Sequence, residues 1–112
     1  MNAFKKIKKI HFVGIGGAGM IGIARVLLQK GYKISGSDIT ISADLNKLRN
    51  EGAKVYQGHS KSNLKDVDLL VLSSAIHKSN SEVLKAKELG ITTIPRAEML
   101  GSIMRGYDSI AI

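Results

Sequence analysis

The sequence predicts an α/β protein, a doubly wound parallel sheet in a single small domain, and three observations carry that prediction. Short apolar runs alternate with segments of helical composition, a glycine-rich turn joins the first such run to the first helix, and 112 residues suit one core. Strands and helices in this alternation form βαβ units, whose right-handed crossovers make neighbouring strands parallel.

The first strand runs from Ile7 to Ile15, with Phe12, Val13 and Ile15 marking a segment covered on both faces. From Ala18 to Gln29 the chain is apolar nearly all round, which predicts a deeply packed helix stopped by Lys30-Gly31. Lys33 to Ser37 is a short second strand. Asp44 to Glu51 carries helix formers up to Gly52, and Ala53 to Gln57 alternates as a third strand. Leu69 to Leu72, within a strand starting at Asp68, has the unbroken apolar run of a central parallel strand. Ser79 and Glu82 have the spacing of a capping box, opening a helix that reaches Leu89 before Gly90. Ile91 to Ile94 is a fifth strand, Pro95 suits the first turn of a helix to about Met104, and Ser109 to Ile112 begins a further strand. An apolar strand followed by no turn or helix leads us to expect a longer parent polypeptide, whose next residues emerge at the ligand-binding edge of the sheet.

Composition narrows the function. With 44% hydrophobic and 23% charged residues the chain has ordinary globular content, and no apolar run approaches the roughly 20 residues of a membrane span. There is no cysteine, and the three histidines lack metal-ligand spacing, so neither disulfides nor zinc is expected. The net charge of +8 raises the question of nucleic acid, but Lys5, Lys6, Lys8 and Lys9 concentrate part of it in one short opening segment, of which residues 1–8 are a basic tail. The remaining cations alternate with acids, as on solvated helices. The opening segment lacks the apolar stretch of a secretory signal, and a cytoplasmic location is expected.

The chemistry concentrates at Gly14-Ile15-Gly16-Gly17-Ala18-Gly19, a G-x-G-x-x-G pattern between a strand and a helix. In that context Gly14 permits the turn, Gly16 clears space for a diphosphate, and Gly19 brings the helix close to the sheet. The unpaired amides at the helix start carry roughly half a positive charge and face the anion. The fold is therefore Rossmann-like. Asp38 ends the second strand where an acid accepts hydrogen bonds from ribose hydroxyls, with a turn or cap role as the plainer reading. The first and fourth strands are expected to be neighbours at the switch point, so Ser73, Ser74, Ala75, Ile76 and His77 face the glycine loop. His59 follows the third strand at the same edge, within reach of a base or in plain solvent. Arg96 could add a phosphate contact, although Arg96 and Glu98 read more simply as an exposed pair at a helix start. No nucleophile–base pair, fixed carboxylate pair or phosphate-loop lysine is present, so binding rather than catalysis is expected of this chain.

Five blocks in one order carry a resemblance: His11 to Met20, Ser35-Gly36-Ser37-Asp38, Gly58-His59, Ser73 to Ile76, and Arg96-Ala97-Glu98-Met99-Leu100. From about Lys9 to Ile112 the chain resembles the amino-terminal domain of the Mur ligase family, and within it the branch that adds L-alanine to UDP-N-acetylmuramate. The resemblance implies an ATP-dependent, Mg²⁺-requiring amide ligase of peptidoglycan precursor synthesis, with an acyl-phosphate intermediate and further domains for ATP and L-alanine. It also implies that Gly14, Gly16, Gly17, Ala18, Gly19 and Met20 take the diphosphate of UDP-N-acetylmuramate. Asp38, His59, Ser73, Ser74, Ala75 and Ile76 then lie near the uridine, and no cofactor is held by this domain. Ile21 departs from the pattern, standing where many relatives have serine, and leaves the nearby phosphate contact to backbone amides. Without the resemblance, the fingerprint favours an NAD-binding dehydrogenase domain, with a nucleotide-sensing regulatory module as a third reading.

Overall fold

A computed structural model describes residues 7–104 of the chain. The expected strand from Ser109 to Ile112 and most of the basic tail lie outside the described residues. Five strands, β1 (Lys9–Val13), β2 (Lys33–Asp38), β3 (Lys54–Gln57), β4 (Leu69–Leu72) and β5 (Thr92–Pro95), form one sheet in the order β3-β2-β1-β4-β5. Every pairing is parallel, and β1 lies between β2 and β4, as the sequence predicts for the switch point. The helices are α1 (Met20–Gln29), α2 (Ala43–Asn50), α3 (Ser81–Leu89) and α4 (Arg96–Met104), with a 3₁₀ turn at Lys61–Leu64 that the sequence pattern did not announce.

The two faces of the sheet are chemically different. Alternate strand residues point opposite ways, so Ile10 and Phe12, Ile34, and Leu69 and Val71 join Ile23, Leu27, Leu45, Leu48, Ile94 and Met99 in the larger apolar core. Val13 and Leu70 join Leu64, Val67 and Ala86 in a smaller one. His11, Ser35, Ser37, Asn63 and Glu82 are also buried. Gly36 is required by this packing, because a methyl group there would lie 2.5 Å from Ile15 Cδ1 and 3.0 Å from the Phe12 carbonyl.

Three expectations need correction. Helix α1 is not packed all round: Met20, Ile23, Ala24 and Leu27 form one buried stripe, while Val26 is 37% exposed. The Ser79–Glu82 capping box does not form; Asn80 caps α3 by accepting from the Glu82 amide at 2.9 Å, and the Glu82 side chain turns into the protein. Pro95 closes β5 rather than opening α4, which an edge strand tolerates because the missing N–H leaves no ladder position empty. Among the described residues no helix is long and apolar enough to cross a membrane.

Candidate functional site

The glycine loop is anchored first by its own backbone. Gly14 and Ile15 amides both donate to the Ser37 carbonyl, at 2.9 and 3.0 Å, which ties the end of β1 to the end of β2. Gly17 donates to the Gly14 carbonyl and Met20 to the Gly17 carbonyl, folding the next residues into consecutive turns. Gly19 then caps α1 at φ 76°, a left-handed conformation that favours glycine, and it has no side chain with which to satisfy the first helical turn. The amides of Ala18 and Gly19 make no hydrogen bond among the described residues. Unpaired donors and the positive end of α1 thus coincide, a ready place for an anion. The anchored amides of Gly14, Ile15, Gly17 and Met20 shape the loop instead.

Four side chains close around this bend. Asp38 Oδ2 accepts from the Gly16 amide at 2.9 Å, so the acid at the end of β2 reaches the loop directly. A methyl group at Gly14 would lie 2.9 Å from Ser73 Cβ and 3.1 Å from Ile76 Cγ1, and one at Gly17 would lie 2.8 Å from Ser73 Oγ. The adjacency of β1 and β4 produces this contact, as expected from the strand order. One at Gly19 would lie 3.0 Å from Arg96 Nη1. Arg96 is therefore half-buried over the loop, not the freely exposed helix-start residue favoured by its sequence position. Its guanidinium adds a fixed positive charge beside the unpaired amides. Ser74 and Ala75 are exposed at the same edge, the Ala75 amide donating to Ser73 Oγ at 3.3 Å. His77 pairs instead with Ser79 at 2.8 Å, and among the described residues it makes no hydrogen bond to the glycine loop.

His59 leads into a buried polar cluster that sequence reasoning missed. Its Nδ1 lies 2.7 Å from Ser37 Oγ, which donates to Glu82 Oε1 at 2.7 Å. His11 Nε2 lies 2.7 Å from the same oxygen, and His11 Nδ1 lies 2.7 Å from Ser35 Oγ. The other carboxylate oxygen accepts from the Ser60 amide at 2.9 Å and from Asn63 Nδ2 at 2.8 Å. Burial alone would raise the Glu82 pKa, but the His11 hydrogen bond and charge, with Ser37 and the Ser60 amide, outweigh it and hold the group down at about 2. The available signal was small: His11, Ser35 and Ser37 are polar residues on one face of two adjacent strands, with His11 opposite Ser35 in register.

A family model described as Mur ligase family, catalytic domain, matches residues 9–108. The chain belongs to the Mur ligase family. It is 56% identical over 107 residues to a UDP-N-acetylmuramate–L-alanine ligase of Sulfurihydrogenibium, covering 96% of this chain and 24% of that protein. A ligase of the same name from Pelobacter propionicus is 56% identical over 109 residues, covering 97% of this chain and again 24% of the relative. The chain thus spans about a quarter of the length of the curated relatives it matches. Among solved structures, the UDP-N-acetylmuramate–alanine ligase of Thermotoga maritima superposes with a TM-score of 0.83 at 31% identity, over 87% of this chain and 23% of the other. A putative NAD-dependent epimerase/dehydratase from Bacillus halodurans, with a TM-score of 0.59 at 16% identity over 79% of this chain and 50% of the other, shares the fold alone.

Proposed function

We propose that residues 1–112 are the amino-terminal, substrate-binding domain of a cytoplasmic ligase that joins L-alanine to UDP-N-acetylmuramate in peptidoglycan precursor synthesis. This domain holds the UDP end of the sugar nucleotide and performs no chemistry itself. The observation that supports the reading most is the meeting of the unpaired Ala18 and Gly19 amides, the start of α1 and the Arg96 guanidinium at one bend. A diphosphate seated there neutralises both positive groups. Asp38, His59 and the Ser73–Ile76 loop surround the position of the uridine, and Gly14, Gly16 and Gly17 let the bend close against Ser73 and Asp38, where a methyl group would fall within 2.9 Å of them.

Among the described residues no three His, Asp or Glu side chains gather where a cation could be held. These residues do not fit a Mg²⁺ site, and we derive no step through that ion. ATP, Mg²⁺ and L-alanine belong, in this reading, to other parts of the parent polypeptide. The same relatives support the ligase over a dehydrogenase or a nucleotide sensor, since they match most of this chain at more than half identity.

Thermal denaturation with ligands tests the assignment. UDP-N-acetylmuramate raises the melting temperature and NAD leaves it unchanged, because a ligand at 100 times its Kd stabilises the native state by about 2.7 kcal/mol. A rise with NAD and none with the uridine compound contradicts the ligase reading.

A further inference from the structure

The geometry points to Glu82 as a positioning residue that, through Ser37, fixes the tautomer of His59 and makes His59 Nε2 a hydrogen-bond acceptor for an N–H of the bound nucleoside's base. The inference rests on the reading that a nucleoside lies at this edge of the sheet. It follows from counting hydrogens. An ionised carboxylate only accepts, so each of the four groups around Glu82 must donate to it. Ser37 has one hydroxyl hydrogen, and it is directed at Glu82 Oε1. Ser37 Oγ can therefore only accept from its other partner, His59 Nδ1, 2.7 Å away. The proton of the neutral imidazole is thereby placed on Nδ1, and Nε2 is left with a bare lone pair.

That lone pair is available. Among the described residues His59 Nε2 makes no hydrogen bond and no partnerless side-chain nitrogen or oxygen is buried, so Nε2 reaches solvent. The side chain is 17% exposed, held by its buried side and open on the other. It follows β3, at the carboxyl edge that also carries Asp38 and the glycine loop. A bare imidazole nitrogen there accepts from a base imide N–H, to which the opposite tautomer would present a donor against a donor.

The arrangement is also switchable at one oxygen only. Glu82 Oε2 receives a peptide N–H and an amide N–H, which cannot become acceptors. Glu82 Oε1 receives a hydroxyl and an imidazole, which can. In Glu82→Gln the new amide keeps its oxygen toward Ser60 and Asn63 and turns its NH₂ toward Ser37. The Ser37 hydroxyl then accepts from Gln and donates to His59 Nδ1, and the ring must carry its proton on Nε2.

Nitrogen NMR of the full chain with ¹⁵N-labelled histidine reads this directly, at about pH 8. We expect His59 protonated on Nδ1 and bare on Nε2, and UDP should shift the Nε2 resonance while leaving Nδ1 in place. Glu82→Gln should invert the two nitrogens and weaken UDP about tenfold, the size of one lost hydrogen bond. Should that variant unfold, Ser37→Ala decides: Glu82 keeps its other three donors, and His59 should lose its single tautomer. A wild-type ring protonated on Nε2, or one unchanged by both substitutions, overturns the relay even if UDP binds. The stated tautomers with neither nitrogen moved by saturating UDP overturn the acceptor role and the nucleoside's place at this edge, leaving the relay intact.

Discussion

The two faces of the sheet solve the same burial problem with different chemistry. Beneath α1 and α2 the strands present Ile10, Phe12, Ile34, Leu69 and Val71 to one apolar core. The other face places His11, Ser35 and Ser37 among Val13 and Leu70, and Glu82 descends from α3 to gather them. An apolar face draws its stability from area removed from water and tolerates conservative exchange. A buried polar face is stable only if every group is satisfied, and here no buried side-chain nitrogen or oxygen among the described residues lacks a partner. Such a network contributes little net stability over an apolar replacement, but it dictates which hydrogen goes where. That control is useful beneath a binding edge.

Paired truncations break or sharpen the contrast. Glu82→Ala leaves His11, Ser37 and Asn63 without their common acceptor and should cost about 3–5 kcal/mol in denaturant unfolding. Phe12→Ala, on the apolar face, should cost a similar 3–5 kcal/mol through its cavity, while leaving the His59 imidazole signals unchanged. A Glu82→Ala variant as stable as wild type would remove the case for a coupled network. Gly36→Ala forces a methyl group against Ile15 and should cost about 1–3 kcal/mol by overpacking.

Acid separates the faces without mutation. The Glu82 pKa is lowered from 4.5 to about 2, so its contribution to stability is complete above about pH 4.5 and is lost as the pH falls through about 2. Stability measured across that interval should fall for the wild type and fall less steeply for Glu82→Gln; identical slopes would show that this carboxyl does not drive the loss. The smallest expected effect is at the start of α3. Asn80→Ala should cost about 1 kcal/mol and Ser79→Ala under about 0.5 kcal/mol, since Asn80 makes the capping bond.

Much of this architecture was legible because it is written in local pattern. The run at Leu69–Leu72 and the glycine turn after Val13 identify β4 and the β1–α1 junction, and these in turn place Ser73 and Ile76 over the loop. Boundaries were less legible. The first strand stops at Val13, not Ile15, because the Ile15 amide turns back onto the Ser37 carbonyl, which already takes the last ladder bond from Gly14. Glu82 was misread because a Ser-x-x-Glu spacing describes a helix start, whereas the partners that claim it, such as His11, lie 71 residues away. Arg96 was undervalued for the same reason: only the folded chain brings the residue after β5 onto Gly19.

In the proposed function, the bend after β1 grips a diphosphate through backbone hydrogens. Amide NMR of the full chain during titration with UDP-N-acetylmuramate measures that grip residue by residue. The Ala18 and Gly19 resonances should shift most among the glycine-loop amides, with the structurally anchored Gly14 and Ile15 amides shifting less. If the ligand binds and Ala18 and Gly19 stay where they were, the diphosphate is held elsewhere and the account is wrong.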